Sequence, residues 1–561
     1  MTTKTLEANE YSLKEIFCDS YSFEIPRYQR PYSWEVEQAV TLVDDLLQFL
    51  EEQPQEIQHA NPYFLGSIVL IKPNGVLSQI VDGQQRITTL TIVFSVLRSL
   101  VSPEFKGALE NAIFQKGDPI LMTEDKPRLR TRSRDQAFFN QYIQQANQLD
   151  NLQAIQEELN DSQKNMHRNA LAIKKRLEDE SPETLKRLCQ LLLVKCFLVV
   201  VKTLDVDSAY RIFSVMNDRG LDLSATDILK SLITSEITPT NDKQEIYTKK
   251  WEDIEEDLGR NAFNALFAHI RMIEMRTKSR SNLVADFKIH IKPNEQPEQF
   301  IDEQLTPYSD AFSDILSRSF SHPEHSQQIN QSLKWLNNID NNDWMPVAIY
   351  YIAKYRQDGK RLAEFLKQLE CVASVQMINR IAVNHRLIRY KAILDAIDLG
   401  SEFDDSALQL ANKDKSNARK QLDGDLYLSS RIRSMVLLRL DAELSDGTAS
   451  YDLPKISVEH VMPQKIADQS KWHSWCPAHD VHQHWVHRLG NLVLLSRNKN
   501  SAASNYDFEK KKNAYFLQHG SSTPFILTNQ VLSYETWTPD IIETRQQILL
   551  EKLCQVWKLN D

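Results

Sequence analysis

SVEHVMPQK (Ser457–Lys465) and HRLGNLVLLSRNKN (His487–Asn500) bracket the stretch on which the reading of this 561-residue chain turns. Glu459 and His460 stand side by side ahead of Pro463, Asn491 precedes the apolar run Leu492 to Leu495, and Asn500 closes the segment. Between the halves lie Trp472, Trp475, Trp485 and the Leu489-Gly490 dipeptide without an amphipathic period, so loop and short hairpin are predicted there. Six of the 14 histidines fall between His460 and His487, a density that marks the segment for chemistry rather than for packing alone.

Carboxylate, imidazole and amide in this order suit a one-metal phosphodiesterase. A divalent ion takes oxygen ligands, which Glu459 and the amide of Asn500 supply, with phosphate and water filling the other positions. His460, neutral near pH 7, is suited to take a proton from the water that attacks phosphorus. The ion polarises the phosphate and offsets the charge that develops in the transition state. Two other readings stay open. One is a structural zinc site drawn from Cys476, His473, His479, His482 and His484, although no second pair at knuckle spacing accompanies the Cys-x-x-His. The other is packing.

EHVMPQ followed by NLVLLSRNKN resembles the HNH (His-Me finger, ββα-metal) nuclease motif. With the HRLGNL lead-in at His487 it resembles, more narrowly, the C-terminal nuclease domain of GmrSD-type modification-dependent restriction proteins. The resemblance implies that Glu459 and Asn500 hold Mg2+ or Mn2+, that His460 is the general base and that Asn491 belongs to the catalytic set as the brace of the loop around it. Glu459 stands where many HNH enzymes carry Asp, and the longer carboxylate still reaches an ion.

Working outward, FEIPRYQRPYSW (Phe23–Trp34) is held extended or turned by Pro26 and Pro31. A short helix is predicted from Ser12 to Phe17, a helix from Glu35 to Leu50, and strands over Tyr63–Ile71 and from Leu77 to Val81. DGQQR (Asp82–Arg86) then stands at a strand-to-helix junction. Amides at a helix start favour an anion, Gly83 lets the chain turn closely, Arg86 can grip a phosphate with both prongs, and Asp82 can hold Mg2+ or orient water. An ordinary Asp-Gly cap is the plain alternative. Together the two boxes resemble the N-terminal, ParB-like domain of the same GmrSD-type proteins. That implies nucleotide contacts at Arg27, Gln29, Arg30, Asp82, Gln84, Gln85 and Arg86, with Asp82 and Arg86 also catalytic in nucleotide hydrolysis, and the sensing of modified DNA. No Walker-type P-loop is present, so ATP, GTP, CTP and UTP all stay open and the nucleotide rests on the resemblance.

RLRTRSR puts Arg128, Arg130, Arg132 and Arg134 at every second position, which on a strand is one face. A DNA-phosphate stripe and an edge neutralised by protein carboxylates are equally consistent with that spacing. AYRIFSVMNDRG also resembles the family, and Asn217 and Arg219 either face a nucleotide pocket or end a helix at Gly220, with Ser224 capping the next one. After Asn500, NYDFEKKKNAYF is expected to form the helix that closes the ββα unit, with Lys510 to Lys512 near the DNA backbone. The tail helix starts near Pro539, and Arg545 and Lys552 on it are expected in solvent.

The net charge of −10 argues against wholesale wrapping of nucleic acid, yet Lys455 to Lys512 carries nine Lys/Arg against five Asp/Glu, the local excess a phosphate-facing surface needs. Six scattered cysteines form no framework, which fits a reducing, cytoplasmic setting. The first residues lack the apolar core of a signal peptide. The run Leu188 to Leu204 reads as a buried helix end feeding a buried strand, too short to span a bilayer. The expected fold is multidomain α+β and predominantly helical: a ParB-like α/β sensor domain over 10–235, a helical scaffold over 236–440 and an HNH-like ββα-metal domain over 441–555. The expected function is modification-dependent, nucleotide-regulated cleavage of double-stranded DNA in defence against phage, with no membrane partner and with a homo-oligomer left open. The alternatives are a non-cleaving nucleic-acid or nucleotide-sensing regulator and an RNA-directed HNH nuclease.

Overall fold

In the computed structural model all residues are described except 1–5, 27–28, 74, 118–119, 121–124, 156–157, 205–207, 210–224, 235, 238–240, 278–281, 446–455, 497–504, 514–522 and 561. Arg27, the Asn217–Arg219 box, Ser224 and Asn500 therefore lie outside the described residues. Helices dominate, and the chain divides into two compact units, Met1–Glu252 and Asp253–Asp561.

The first unit is built on a six-stranded mixed sheet in the order β1-β8-β3-β4-β2-β7. In chain order these are β1 (Leu6–Ser12), β2 (Ser22–Glu24), β3 (Tyr63–Ile71), β4 (Leu77–Asp82), β7 (Leu129–Arg130) and β8 (Cys196–Thr203); β5 (Phe114–Gln115) and β6 (Lys126–Pro127) pair separately. The predicted Tyr63–Ile71 strand and the Val199 strand are both present, and β8 runs parallel to β3 in the interior of the sheet. Three helices occur where the apolar spacing puts them: α1 (Leu13–Ile16), α2 (Val36–Glu51) and α3 (Gln84–Leu100).

Apart from the half-buried Arg86, helix α3 is buried on every side from Gln84 to Arg98, which an amphipathic helix would not be. Its polar residues are reconciled with the core locally. Thr89 and Thr91 donate their hydroxyls to the carbonyls of Gln85 and Ile87 one turn back. Arg98 bonds the carboxylate of Glu110 and the carbonyls of Gln144 and Gln145. One sheet face (Ile68, Leu70, Ile80) joins α3 in the main core, and the other (Val69, Ile71, Val81, Val201) packs with Ala209 and Ile228.

The arginine run is not one strand, since β7 covers only Leu129 and Arg130. Each guanidinium meets a carboxylate within the unit: Arg128 with Asp19, Arg130 with Glu24, Arg132 with Asp135 and Glu252, and Arg134 with Glu252. Of the two readings of that run, the neutralised edge is the one observed.

In the second unit helices run from Arg260–Met275 to Ser430–Leu444 before a two-stranded hairpin, β9 (Ile456–His460) with β10 (Leu492–Ser496). The segment between the two strands is not a hairpin: it folds into two short helices, Trp472–Trp475 and His479–Trp485, because Trp472, Cys476 and Val486 turn inward onto Val461, Val493 and Trp537. A four-residue helix, Phe508–Lys511, and the long C-terminal helix Pro539–Val556 complete this core. Among the described residues no helix is long and apolar enough to cross a membrane, and all six cysteines are free thiols.

Candidate active site

β9 and β10 pair antiparallel with Leu492 opposite His460 and Val493 opposite Glu459, so the two halves of the sequence motif meet as the two arms of one hairpin. Asn491 locks the chain just beyond them. Its side-chain oxygen accepts from Met462 N (2.7 Å) and Trp537 Nε1 (3.1 Å), and its amide donates to the carbonyls of Met462 and Val486, both at 2.9 Å. Those four bonds use the full capacity of a fully buried amide. Asn491 is a brace for the loop that follows His460, not a group aimed at a reactant.

The C-terminal helix holds the brace in turn. Gly490 N donates to Gln546 Oε1 (2.6 Å), and Arg545 donates to the carbonyls of Gly490 (2.7 Å), Leu492 (3.0 Å) and Leu527 (3.0 Å). Arg545 is therefore buried and not in solvent, because three backbone oxygens replace its hydration, and burial pulls its pKa down to about 10. Gly490 permits the approach: a Cβ there would lie 2.4 Å from the carbonyl oxygen of Ile542.

His460 is 3 % exposed. Its Nε2 is 3.2 Å from His487 Nδ1, and its Nδ1 is 3.4 Å from the amide nitrogen of Gln464. Because Gln464 can only donate through that nitrogen, the consistent tautomer carries the proton on Nε2 and directs it to His487, leaving the Nδ1 lone pair as the basic atom. The ring of Tyr427 lies 3.9 Å from that of His460 and stacks with His487, and the Arg433 guanidinium lies over the Tyr427 ring at 4.3 Å. Burial first, then the charges of His487, Lys511 and Arg433, push the His460 imidazole down to about 3. His487 is lowered as well, again chiefly by burial.

Glu459 meets an ammonium. Lys511 Nζ is 3.0 Å from Glu459 Oε1 and 2.7 Å from the carbonyl oxygen of His460, and the lysine side chain is wholly buried. Burial raises the Glu459 carboxyl and lowers the Lys511 ammonium, each opposed by the charge of the other. Lys511 is thus not on a DNA-facing surface. Of its neighbours, Lys510 lies over Tyr506 and Lys512 donates to the carbonyl of Tyr534.

Among the described residues no three His, Cys, Asp or Glu side chains gather as a metal cluster. The five side chains of the zinc alternative belong to that set: His482 is bonded to the carbonyl of Pro463 (2.9 Å), and Cys476 faces the carbonyl of Ala478. A dication held by one carboxylate, one amide, phosphate and water needs no such cluster. Glu459, a half-buried carboxylate that already attracts a cation, fits that role.

In the first unit the glutamines of the two boxes bond backbone groups. Gln29 donates to the carbonyls of Ile80 and Val81, Gln84 to that of Arg30, and Gln85 to that of Pro31 while accepting from Ser33 N and Trp34 N. Gln29 thus ties the segment to β4, and Gln84 and Gln85 clasp residues 30–34 to the start of α3. The cavity lined by Arg30, Gln84, Gln85, Arg132 and Asp135 has a volume of about 10 Å3, room for one water and not for a nucleobase. As arranged, the three glutamine amides do not fit a nucleotide contact. Asp82, Arg86 and Arg30 remain half-buried at the junction. Asp82 Oδ1 accepts from Gly83 N, and Arg86 donates to Ser67 O (2.8 Å) with its guanidinium over Gly66, whose φ of +105° and missing Cβ make the space. Burial raises Asp82 and lowers Arg86, against their mutual attraction.

Tyr427, Arg433, Gln464 and Lys511 were not singled out by the motifs. Tyr427 and Arg433 stand well upstream of the hairpin, and Lys511 sits in a run of three lysines that reads as surface.

A family model for the N-terminal domain of the GmrSD restriction endonuclease matches residues 13–234, and one for the C-terminal domain of GmrSD restriction endonucleases matches residues 411–552. The second match begins early enough to include Tyr427 and Arg433. No curated protein matches the chain.

Proposed function

The chain belongs to the GmrSD restriction endonuclease family, whose two domain models it matches in order over about two thirds of its length, and on that premise we propose that it hydrolyses phosphodiester bonds of modified double-stranded DNA at the β9–β10 centre. The N-terminal domain acts as the sensor, nucleotide regulates cleavage, and the target is phage DNA.

The observation that carries this reading is the environment of His460. An imidazole at the end of a strand is kept neutral, is held at Nε2 by His487, and sits on a loop pinned by the four hydrogen bonds of Asn491. Such an imidazole has one basic lone pair, at Nδ1, and a water molecule takes it by displacing the long 3.4 Å contact from the Gln464 amide. A base held at about 3 is a weak proton acceptor on its own. The negative charge of a phosphodiester brought beside it raises its basicity, since an opposite charge favours the imidazolium. His487 Nδ1 accepts the Nε2 proton throughout and fixes the ring. Arg433, over the Tyr427 ring, adds positive charge that His460 feels, and a phosphate is attracted to it. Held by Glu459 and by Asn500, Mg2+ or Mn2+ would polarise the scissile phosphate and stabilise the leaving oxygen.

Gln29, Gln84 and Gln85 bond the backbone, so Asp82, Arg86 and Arg30 are the described side chains of the two boxes that suit a phosphate. The test is a substrate panel. Matched unmodified and modified duplexes and an RNA of the same sequence are incubated with Mg2+ or EDTA, with and without each of ATP, GTP, CTP and UTP. Mg2+-dependent cutting of a modified duplex, changed by one of the nucleotides, is expected. Cutting of RNA alone, or of no substrate, would move the reading to an RNA nuclease or to a sensor that does not cleave.

A further inference from the structure

Lys511 is the one member of its lysine run that turns inward, and it does so onto the carboxylate assigned above to the metal. The helix Phe508–Lys511 is anchored by Phe508, whose ring packs on Trp472, Trp475 and Trp537. That anchoring carries the Lys511 side chain to full burial, with Nζ on Glu459 Oε1 and on the carbonyl oxygen of His460. Burying an ammonium is costly unless partners replace its hydration. An apolar side chain of similar length would fill the same space without that cost, so packing does not account for a lysine here.

We propose that Lys511 is a cation built into the nuclease centre: it orients Glu459 and competes with a divalent ion for that carboxylate, so that metal binds tightly only when the lysine gives way. The proposal rests on the nuclease reading above. Its physical content is charge. With Lys511 in place, a dication meets a Glu459 already neutralised, whereas without it the dication meets a full negative charge. Even with water-like screening, a unit positive charge about 5 Å from a dication weakens its binding by roughly tenfold. The bond to the His460 carbonyl ties the lysine to the backbone of the base, so movement of the ammonium loosens the carboxylate and the base together.

The experiment is a Mn2+ titration of the full chain without DNA, followed by loss of the EPR signal of free Mn2+, with Tm measured in parallel. Lys511→Met and Lys511→Gln are expected to bind Mn2+ at least about tenfold more tightly than wild type and to gain more Tm from it. Lys511→Arg, which keeps the charge, is expected to stay close to wild type. Glu459→Gln is expected to abolish the Mn2+ site. If the neutral variants bind Mn2+ no better than wild type while Glu459→Gln still abolishes the site, the competing role of Lys511 is overturned and the metal centre stands. If Glu459→Gln makes no difference in any background, the metal centre is overturned and the role of Lys511 with it. Should Lys511→Met fail to fold without metal, rescue by Mn2+ supports the proposal, and failure of Mn2+ to rescue it while Lys511→Gln binds like wild type overturns it.

Discussion

Asn491 turns an asparagine of the sequence motif into a specific mechanical expectation. Replacing it by alanine strands Met462 N, Trp537 Nε1 and two carbonyls in the interior. Each lost bond costs on the order of 1 kcal/mol, so Asn491→Ala is expected to destabilise the C-terminal unit by about 2–4 kcal/mol in denaturant titrations. A second residue-scale expectation concerns His269, which is buried against Phe312 with no partner for Nε2 among the described residues and is pushed down from 6.5 to about 4 by burial. The unfolded chain takes up a proton there near pH 6.5 while the folded chain does not, so stability falls as pH drops from about 6.5 towards 4, by at most about 1.4 kcal/mol per pH unit. His269→Phe should flatten that part of the stability–pH curve. That Glu459, His460 and Asn491 come together was legible in the sequence, because the two halves of the motif are the two strands of one antiparallel pair. Lys511 was not, because three consecutive lysines differ only in where a four-residue helix points them, and that is decided by Phe508 from outside the run.

At the scale of elements, the strands and helices that carry the two boxes appear where hydrophobic spacing predicts them, because β3, β4 and α2 each bury a face that their own sequence marks. Polar side chains were harder to read. Gln29, Gln84 and Gln85 were expected at a ligand and instead bond backbone, Gln29 on β4 and the other two between residues 30–34 and a helix start, roles that depend on which backbone lies opposite. The arginine run was balanced between DNA and protein for the same reason: its partners Asp19, Glu24 and Glu252 are distant in sequence. Since each of those charges is already paired, Arg130→Gln is expected to leave both DNA affinity and its salt dependence unchanged in binding assays at two salt concentrations. The C-terminal helix, expected to show Arg545 to solvent, is a structural member of the site. Gly490→Ala drives a Cβ against the carbonyl of Ile542, backbone that cannot swing aside. It is therefore expected to lower both the stability of the unit and its cleavage rate, whereas the same change at Gly107, where a Cβ meets open space, should be near neutral.

At the scale of the molecule, the N-terminal family model falls within the first unit and the C-terminal one within the second, and the function proposed for the chain divides in the same way: recognition in the first, hydrolysis in the second. The division predicts that residues 1–258, cut so that the helix Asn241–Leu258 stays whole, fold with a cooperative thermal transition of their own. The central claim is that hydrolysis resides in the hairpin centre with His460 as its base. The most direct measurement is the single-turnover cleavage rate of a modified duplex by wild type and His460→Ala at saturating Mg2+, with the Kd for the same duplex measured alongside. A rate reduced by about 10^2–10^4 with Kd unchanged is the expected result; a variant that cuts as fast as wild type would contradict it.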